Sequence, residues 1–229
     1  MTSHEHEPLS GKSPTLGQAA RAFFTFHSPR IFVVLWPLLV AARLAVGGFS
    51  WLDLLVVPII LAIQPFAEWL IHVYILHFKP VRVFGRTLDL QIAKFHRAHH
   101  RDPWRLDLVF IPRRAGWLGL GIIALVWFAL APTPQMALSG VVAGVTAAFL
   151  YEWTHYLTHT GYKPQSEFYR QIWRYHRLHH FKNEHYWQGV TTHFGDRILG
   201  TMPDHPGVAN SPTCRTLGVD APTDLPGPP

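Results

Sequence analysis

Charge is scarce in this chain, and acid scarcest of all. Only 15% of the 229 residues are charged, well below the roughly 25% of an ordinary soluble domain. Asp and Glu together number 14. Cysteine is nearly absent, and the single Cys214 excludes a disulfide scaffold and any site built on clustered thiolates. The net charge of +6 comes with no Lys-rich run and no nucleic-acid-binding motif, so nucleic acid is not an expected partner. The first thirty residues show no short apolar core followed by a small-residue cleavage site, and a cleaved secretory signal is not expected. What is abundant is apolar and aromatic: 48% hydrophobic residues, with 9 Trp and 15 Phe, exclude intrinsic disorder over most of the chain. Histidine, at 16, outnumbers the acids.

The apolar residues fall into four stretches: Ile31–Val46, Trp51–Phe78, Ala115–Ala131, and Met136 to about His159. A helix crossing a bilayer needs about 20 apolar residues. Gly47-Gly48 breaks the first stretch from the second, and Pro132-Thr133-Pro134 breaks the third from the fourth. Each pair therefore predicts a helical hairpin with a short turn. Polar residues 79–114 separate the hairpins, and a polar segment, 160–229, follows them. Residues 1–30 read as a flexible amino-terminal segment and 203–229 as a Pro-rich flexible tail, leaving 31–202 as the folded unit.

The basic residues sort by side. Lys and Arg number 3 in residues 1–30, 9 in 79–114 and 7 in 160–229, which is 19 of the 20 in the chain. The exception is Arg43, inside the first stretch, where a long side chain can snorkel. Positive charge gathers on the cytoplasmic side of a membrane. Four crossings then place both termini, and the polar segment between the hairpins, in the cytoplasm.

Ten histidines fall into four groups: His72 and His77; His96, His99 and His100; His155 and His159; His176, His179 and His180. Spacings of three and four put side chains on one helical face. His72 and His77, five apart, need a π-type turn or a loosened helix end. All four groups fall on the side that the charge count assigns to the cytoplasm. One such pair would be ordinary, but two His-x-x-His-His triplets and two pairs together point to metal. Imidazole alone suits Zn, Fe, Cu or Ni, and ten are enough for two ions with about five each.

The order His-x4-His, His-x2-His-His, His-x3-His, His-x2-His-His resembles the integral-membrane fatty acid hydroxylase and sterol desaturase superfamily, closest to its fatty acid 2-hydroxylase branch. The resemblance is carried by Glu68-Trp69-Leu70-Ile71-His72 through His77, Phe95-His96-Arg97-Ala98-His99-His100, Tyr151-Glu152-Trp153-Thr154-His155 through His159, and Tyr175-His176-Arg177-Leu178-His179-His180. Gly189-Val190-Thr191 through Asp196 and Gly200-Thr201 are similar to the family's closing segment. The resemblance covers about residues 31–202. It implies an all-α integral membrane protein with four transmembrane helices, a cytosolic helical cap, a di-metal site held by the ten histidines, and oxygen-dependent hydroxylation of an acyl chain in a fatty acid or lipid. Two departures stand out. Thr160 occupies a position where that branch commonly carries a further histidine, and His193 lies in the closing segment where no ligand is expected.

Inserting oxygen into an unactivated C–H bond needs a metal that changes oxidation state. Zinc cannot, so two iron ions are expected, with O2 as co-substrate. Zinc in purified protein would be a substitution at a permissive nitrogen site. The fused cytochrome b5 domain of some family members is not seen in the sequence. His205-Pro206-Gly207-Val208, which is similar to that domain's haem motif, reads as coincidence. Electrons are therefore expected from a separate cytochrome b5-like or ferredoxin-type donor. Metal-ligating histidines usually pass their other N–H to a carboxylate or carbonyl, which makes Glu68, Glu152 and Asp196 supporting residues, with His193 beside them. Asp102, Asp107 and Glu184 read as solvated or capping acids. The alternatives are a sterol- or carotenoid-type hydroxylase or desaturase of the same superfamily and, less favoured, a metal transporter, whose site would lie near the bilayer midplane.

Overall fold

The structure, a computed structural model, describes residues 13–220. Four long helices are apolar enough to cross a membrane, spanning His27–Val46, Trp51–Leu76, Leu106–Leu130 and Pro134–Thr158. In chain order the helices are α1 (Leu16–Phe23), α2 (His27–Val46), α3 (Trp51–Leu70), α4 (Gln91–Arg101), α5 (Arg113–Leu130), α6 (Pro134–Thr158), α7 (Glu167–Phe181) and α8 (Phe194–Ile198). A π-helix, Ile71–Leu76, continues α3, and the strands β1 (Val81–Val83) and β2 (Arg86–Leu88) form an exposed antiparallel hairpin. The bundle bears out the all-α membrane architecture expected from the four apolar stretches.

The second expected hairpin, α5–α6, packs as a hairpin; the first does not. α6 is the hub, and α2, α3 and α5 each lie against it, while α2 and α3 touch each other little. Small residues on α6 explain its close approach to α5. A side chain at Gly140 would run into the Trp127 ring of α5, and one at Gly144 would meet Ile123. Lipid offers no hydrophobic drive between helices, so close backbone approach at small residues does the work. The outward faces are correspondingly greasy: Leu38, Leu54, Leu61, Leu118, Leu125 and Leu130 are all exposed.

Arg43 does not snorkel. It is 4% exposed, and its guanidinium donates to Asp53 (2.8 Å), to Ser139 Oγ (2.6 Å) and to the Gly47 carbonyl (2.7 Å). Asp53 also accepts from Ser139 Oγ at 2.5 Å and from the Ser50 backbone N–H at 2.9 Å. This knot ties α2, α3 and α6 together at the Gly47-Gly48 turn, where both glycines take positive φ.

Both terminal segments differ from expectation within the described residues. Thr15 and Gln18 form a capping box that starts α1. Phe23 of that helix is fully buried, ringed by Phe110, Phe149, Trp153 and Tyr156. Apolar burial outweighs the polar character that suggested a loose segment. At the other end, residues 203–220 fold back over the histidines, with Ser211 N–H donating to Lys182 O (2.7 Å) and Leu217 buried. Residues 1–12 and 221–229, the outer parts of the two expected flexible segments, lie outside the described residues.

Removing one partner of a buried ion pair leaves the other uncompensated, at about 3–5 kcal/mol. Asp53→Ala is therefore expected to lower stability by about 3 kcal/mol, and Arg43→Leu combined with Asp53→Leu to recover most of the loss. Unfolding of the purified protein in detergent, compared across the two variants, checks this.

Candidate metal centre

Ten imidazoles converge at one end of the four-helix bundle, in two groups of five. His72, His77, His96, His100 and His179 form one nest, and His99, His155, His159, His176 and His180 form the other; within each, one nitrogen per residue lies within 4.8 Å of all the rest. The two triplets do not each serve one nest. α4 sends His96 and His100 to the first and His99 to the second, and α7 sends His179 to the first and His176 and His180 to the second. Adjacent positions on a helix point about 100° apart, so each His-His doublet straddles the two nests. The His100 and His180 rings, from different nests, stack at 4.1 Å.

The π-helix delivers the first pair. His77 N–H donates to the His72 carbonyl at 3.0 Å, an i to i+5 bond. That wider turn brings two residues five apart onto one side, and the His72 and His77 rings stand 4.8 Å apart.

At least four of the ten imidazoles are locked in one tautomer by backbone carbonyls. The Nδ1–H of His72 donates to Gln188 O at 2.6 Å, that of His100 to Cys214 O at 2.8 Å, that of His155 to Val109 O at 3.0 Å, and that of His179 to Tyr186 O at 2.9 Å. A carbonyl only accepts, so Nδ1 carries the proton and Nε2 keeps a bare lone pair. Yet His100 Nε2 and His179 Nε2 face each other at 3.3 Å. Two bare lone pairs cannot bond to one another; a cation between them satisfies both. Other Nε2 pairs approach similarly, His72 to His96 and His100 to His96 at 3.1 Å, and His159 to His176 at 2.9 Å. Two nitrogens each about 2.0–2.1 Å from one ion sit about 3 Å apart when cis. His77 Nε2 and His155 Nε2 are buried with no hydrogen-bond partner among the described residues. The donor set, its spacing and its orphaned nitrogens all fit a metal ion in each nest.

The carboxylates act one step back from the rings. Glu68 accepts from Val190 N–H, from Thr191 N–H (2.8 Å) and from Thr191 Oγ1 (2.6 Å). Asp196 accepts from Gln188 N–H (2.8 Å), Gly189 N–H (2.7 Å) and Thr201 Oγ1 (2.6 Å). Together they clamp the loop whose Gln188 carbonyl orients His72. Glu152 accepts from Ser28 Oγ (2.7 Å) and Ile111 N–H (3.0 Å), which fixes the segment whose Val109 carbonyl orients His155. The three acids flagged in sequence thus hold loops, and the loops' carbonyls hold the imidazoles. His193 donates to Asp196 (3.3 Å) and lies outside both nests. Burial pushes the Asp196 carboxyl up, but His193, Thr201 and the two backbone N–H groups outweigh it and hold the pKa below its ordinary value. Thr160 closes the end of α6, its hydroxyl donating to Leu157 O at 2.8 Å.

Sequence reasoning missed the strap over His100. Glu184 reads as a solvated acid but is 2% exposed. It accepts from Thr213 Oγ1 at 2.5 Å, pinning the strand of chain that presents the Cys214 carbonyl. Backbone carbonyls carry no side-chain signature, so only the fold reveals them. Asp107 does meet solvent-side expectation in part, pairing with Arg105 at 2.9 Å.

Burial first, and the neighbouring imidazoles second, hold His96, His99, His176, His179 and His180 well below the ordinary histidine pKa. Burial lowers His100 to about 3, against the opposing pull of its Cys214 bond. All six are neutral near pH 7 and ready to ligate without losing a proton. In the unfolded chain they titrate near 6.5. Below that pH the unfolded state binds more protons, so stability falls as pH falls. Protein stripped of metal by a chelator should therefore lose stability steadily from pH 6.5 to pH 5, His100 alone contributing about 2 kcal/mol of that loss. Thermal unfolding of the stripped protein across this range checks the slope; a flat profile contradicts it.

Comparison with known proteins agrees with this geometry. The family model described as fatty acid hydroxylase matches residues 57–201. A dihydroceramide fatty acyl 2-hydroxylase of Arabidopsis thaliana is 29% identical over 152 residues, covering 65% of this chain and 62% of that protein. The fatty acid 2-hydroxylase of Homo sapiens is 27% identical over 142 residues, covering 61% and 37%. The ceramide very long chain fatty acid hydroxylase of Saccharomyces cerevisiae is 30% identical over 142 residues, covering 61% and 36%. The matched region thus spans less than two thirds of each relative's length. A solved structure of full-length scs7p, with only its hydroxylase domain visible, shares the fold at a TM-score of 0.68 and 22% identity, covering 88% of this chain and 76% of that one. Four apolar helices, two nests of five histidines and a family match that covers all ten histidines lead to one conclusion: the chain belongs to the fatty acid hydroxylase family.

Proposed function

We propose that this protein is a membrane-bound, O2-dependent hydroxylase of fatty acyl chains, with the ten histidines as ligands to two iron ions. The observation that carries the reading is the pairing of two five-nitrogen nests whose rings touch, at the end of a bundle with lipid-facing sides. Iron bound there supplies the change of oxidation state that insertion into an unactivated C–H bond requires and that zinc lacks. Each turnover consumes O2, two electrons and two protons and yields the hydroxylated chain and water. The relatives named 2-hydroxylases point to carbon 2 of the acyl chain as the position, and ceramide-linked or free acyl chains as the substrate class.

The chain's own residues prepare the site. Gln188, Val109, Cys214 and Tyr186 carbonyls fix four imidazoles with Nε2 inward; Glu68 and Asp196 hold the Gln188 segment, Glu152 the Val109 segment and Glu184 the Cys214 segment. Full burial of His99, His100, His176, His179 and His180 excludes bulk water from the nests. The charge distribution along the sequence supports a cytoplasmic face for this end of the bundle, where a soluble reductant can reach it. Nests gathered at one end of the bundle, rather than midway along it, speak against transport.

Lipid mass spectrometry on cells making the protein tests the reading. Wild type, with an active reductant, should produce acyl chains heavier by one oxygen at carbon 2. His99→Ala combined with His179→Ala, one ligand from each nest, should abolish them. A lipid profile unchanged by the wild-type protein contradicts the proposal.

A further inference from the structure

A second feature lies on the outer side of the helix that feeds both nests. α7 turns His176, His179 and His180 inward and leaves Arg170 and Arg174 exposed on its opposite face. Beside it opens a cleft of about 910 Å3 whose wall includes Lys163, Arg170, Arg174, Arg177 and Arg197. Glu167 is the one carboxylate among the lining residues. It is paired with Arg170 at 2.9 Å and also attracts Arg174, so a single acid faces five cations in the wall. The cations come from three places in the chain: the loop after α6, α7 and α8. A solvated helix face would show mixed charge along one element; here one sign converges from several on a concavity.

The cleft is close to the nests through the covalent chain. Trp173 lines it and precedes His176 by three residues on the same helix, about 4.5 Å along the axis. Arg177, adjacent to His176, is held rigidly: its guanidinium stacks on Trp173 at 3.9 Å and Trp104 at 4.8 Å and donates to the Thr160 carbonyl at 3.3 Å. Arg174 meets His205 of the carboxy-terminal strap. The base of the cleft is therefore a fixed aromatic and guanidinium layer, and its rim is exposed positive charge.

Resting on the proposed hydroxylase function, which needs two electrons per turnover from outside, we propose that this cleft docks an acidic one-electron carrier protein. Two successive docking events each pass one electron toward the nests, the carrier being oxidised by one electron each time. Opposite charge across such a surface chiefly raises the encounter rate and fixes orientation, and salt weakens it. An anionic lipid headgroup shares the charge but does not supply electrons, and it stands as the rival occupant.

The test uses the full chain in nanodiscs of uncharged phosphatidylcholine, with two probes: the acidic haem domain of a soluble cytochrome b5 and an acidic [2Fe–2S] ferredoxin. At least one probe should bind wild type and weaken steeply as salt rises past the point where the screening length drops below about 10 Å. Lys163→Glu combined with Arg174→Glu should weaken binding by about tenfold or more. Arg82→Glu with Arg86→Glu, a charge-matched change on the exposed β1–β2 hairpin, should leave binding unchanged. Carrier variants with surface acids changed to Lys should regain affinity for the Glu variant, an outcome misfolding cannot produce. Equal carrier binding by both double variants overturns the proposal. So does loss confined to phosphatidylserine-rich vesicles, which assigns the cleft to a headgroup. The lipid measurement stays separate: hydroxylation without carrier binding at this cleft sinks the docking site alone, and carrier binding without hydroxylation sinks the function alone.

Discussion

The structure depends on the repulsion it has to overcome. Ten imidazoles are packed into a space where their nitrogen lone pairs face one another at about the van der Waals limit, with His100 and His179 at 3.3 Å and both protonated on the far nitrogen. No proton donor among the described residues relieves that contact. A metal ion in each nest would, turning the same crowding into two coordination spheres. The surrounding features are consequences: the carbonyls that fix each tautomer, the acids that fix the carbonyls, and the burial that keeps the rings neutral.

Membrane and site are joined by the ends of the long helices. The π-helix at the end of the second span contributes His72 and His77, and α6 ends with His155 and His159. The spans therefore set where four of the ten clustered histidines sit. α4 and α7 add the other six, each straddling both nests with a His-His doublet. At the far end, the Arg43–Asp53–Ser139 knot holds α2, α3 and α6 in register. A bundle loosened there would misplace the histidines at the opposite end.

Most of this was legible in the residues. The four apolar stretches became four long helices, the π-turn demanded by the His72–His77 spacing is present, and the ten grouped histidines came together as two sets of five. What stayed hidden was of two kinds. Helix contacts were hidden because a short Gly47-Gly48 turn implies that α2 and α3 are adjacent, whereas each packs on α6 instead. The orienting partners of His72, His100, His155 and His179 were hidden because they are main-chain carbonyls, the same atom at every position. The terminal segments misled for a related reason: polar and Pro-rich composition concealed the burial of Phe23 and Leu217.

The central claim is that each nest of five histidines holds one ion. The most direct measurement is metal content after anaerobic loading with Fe(II) and removal of excess, for wild type, for His77→Ala with His179→Ala, and for His159→Ala with His176→Ala. The account predicts two ions per wild-type chain and one in each variant. A wild-type chain holding a single ion, or a variant of one nest that empties neither or both, would contradict it.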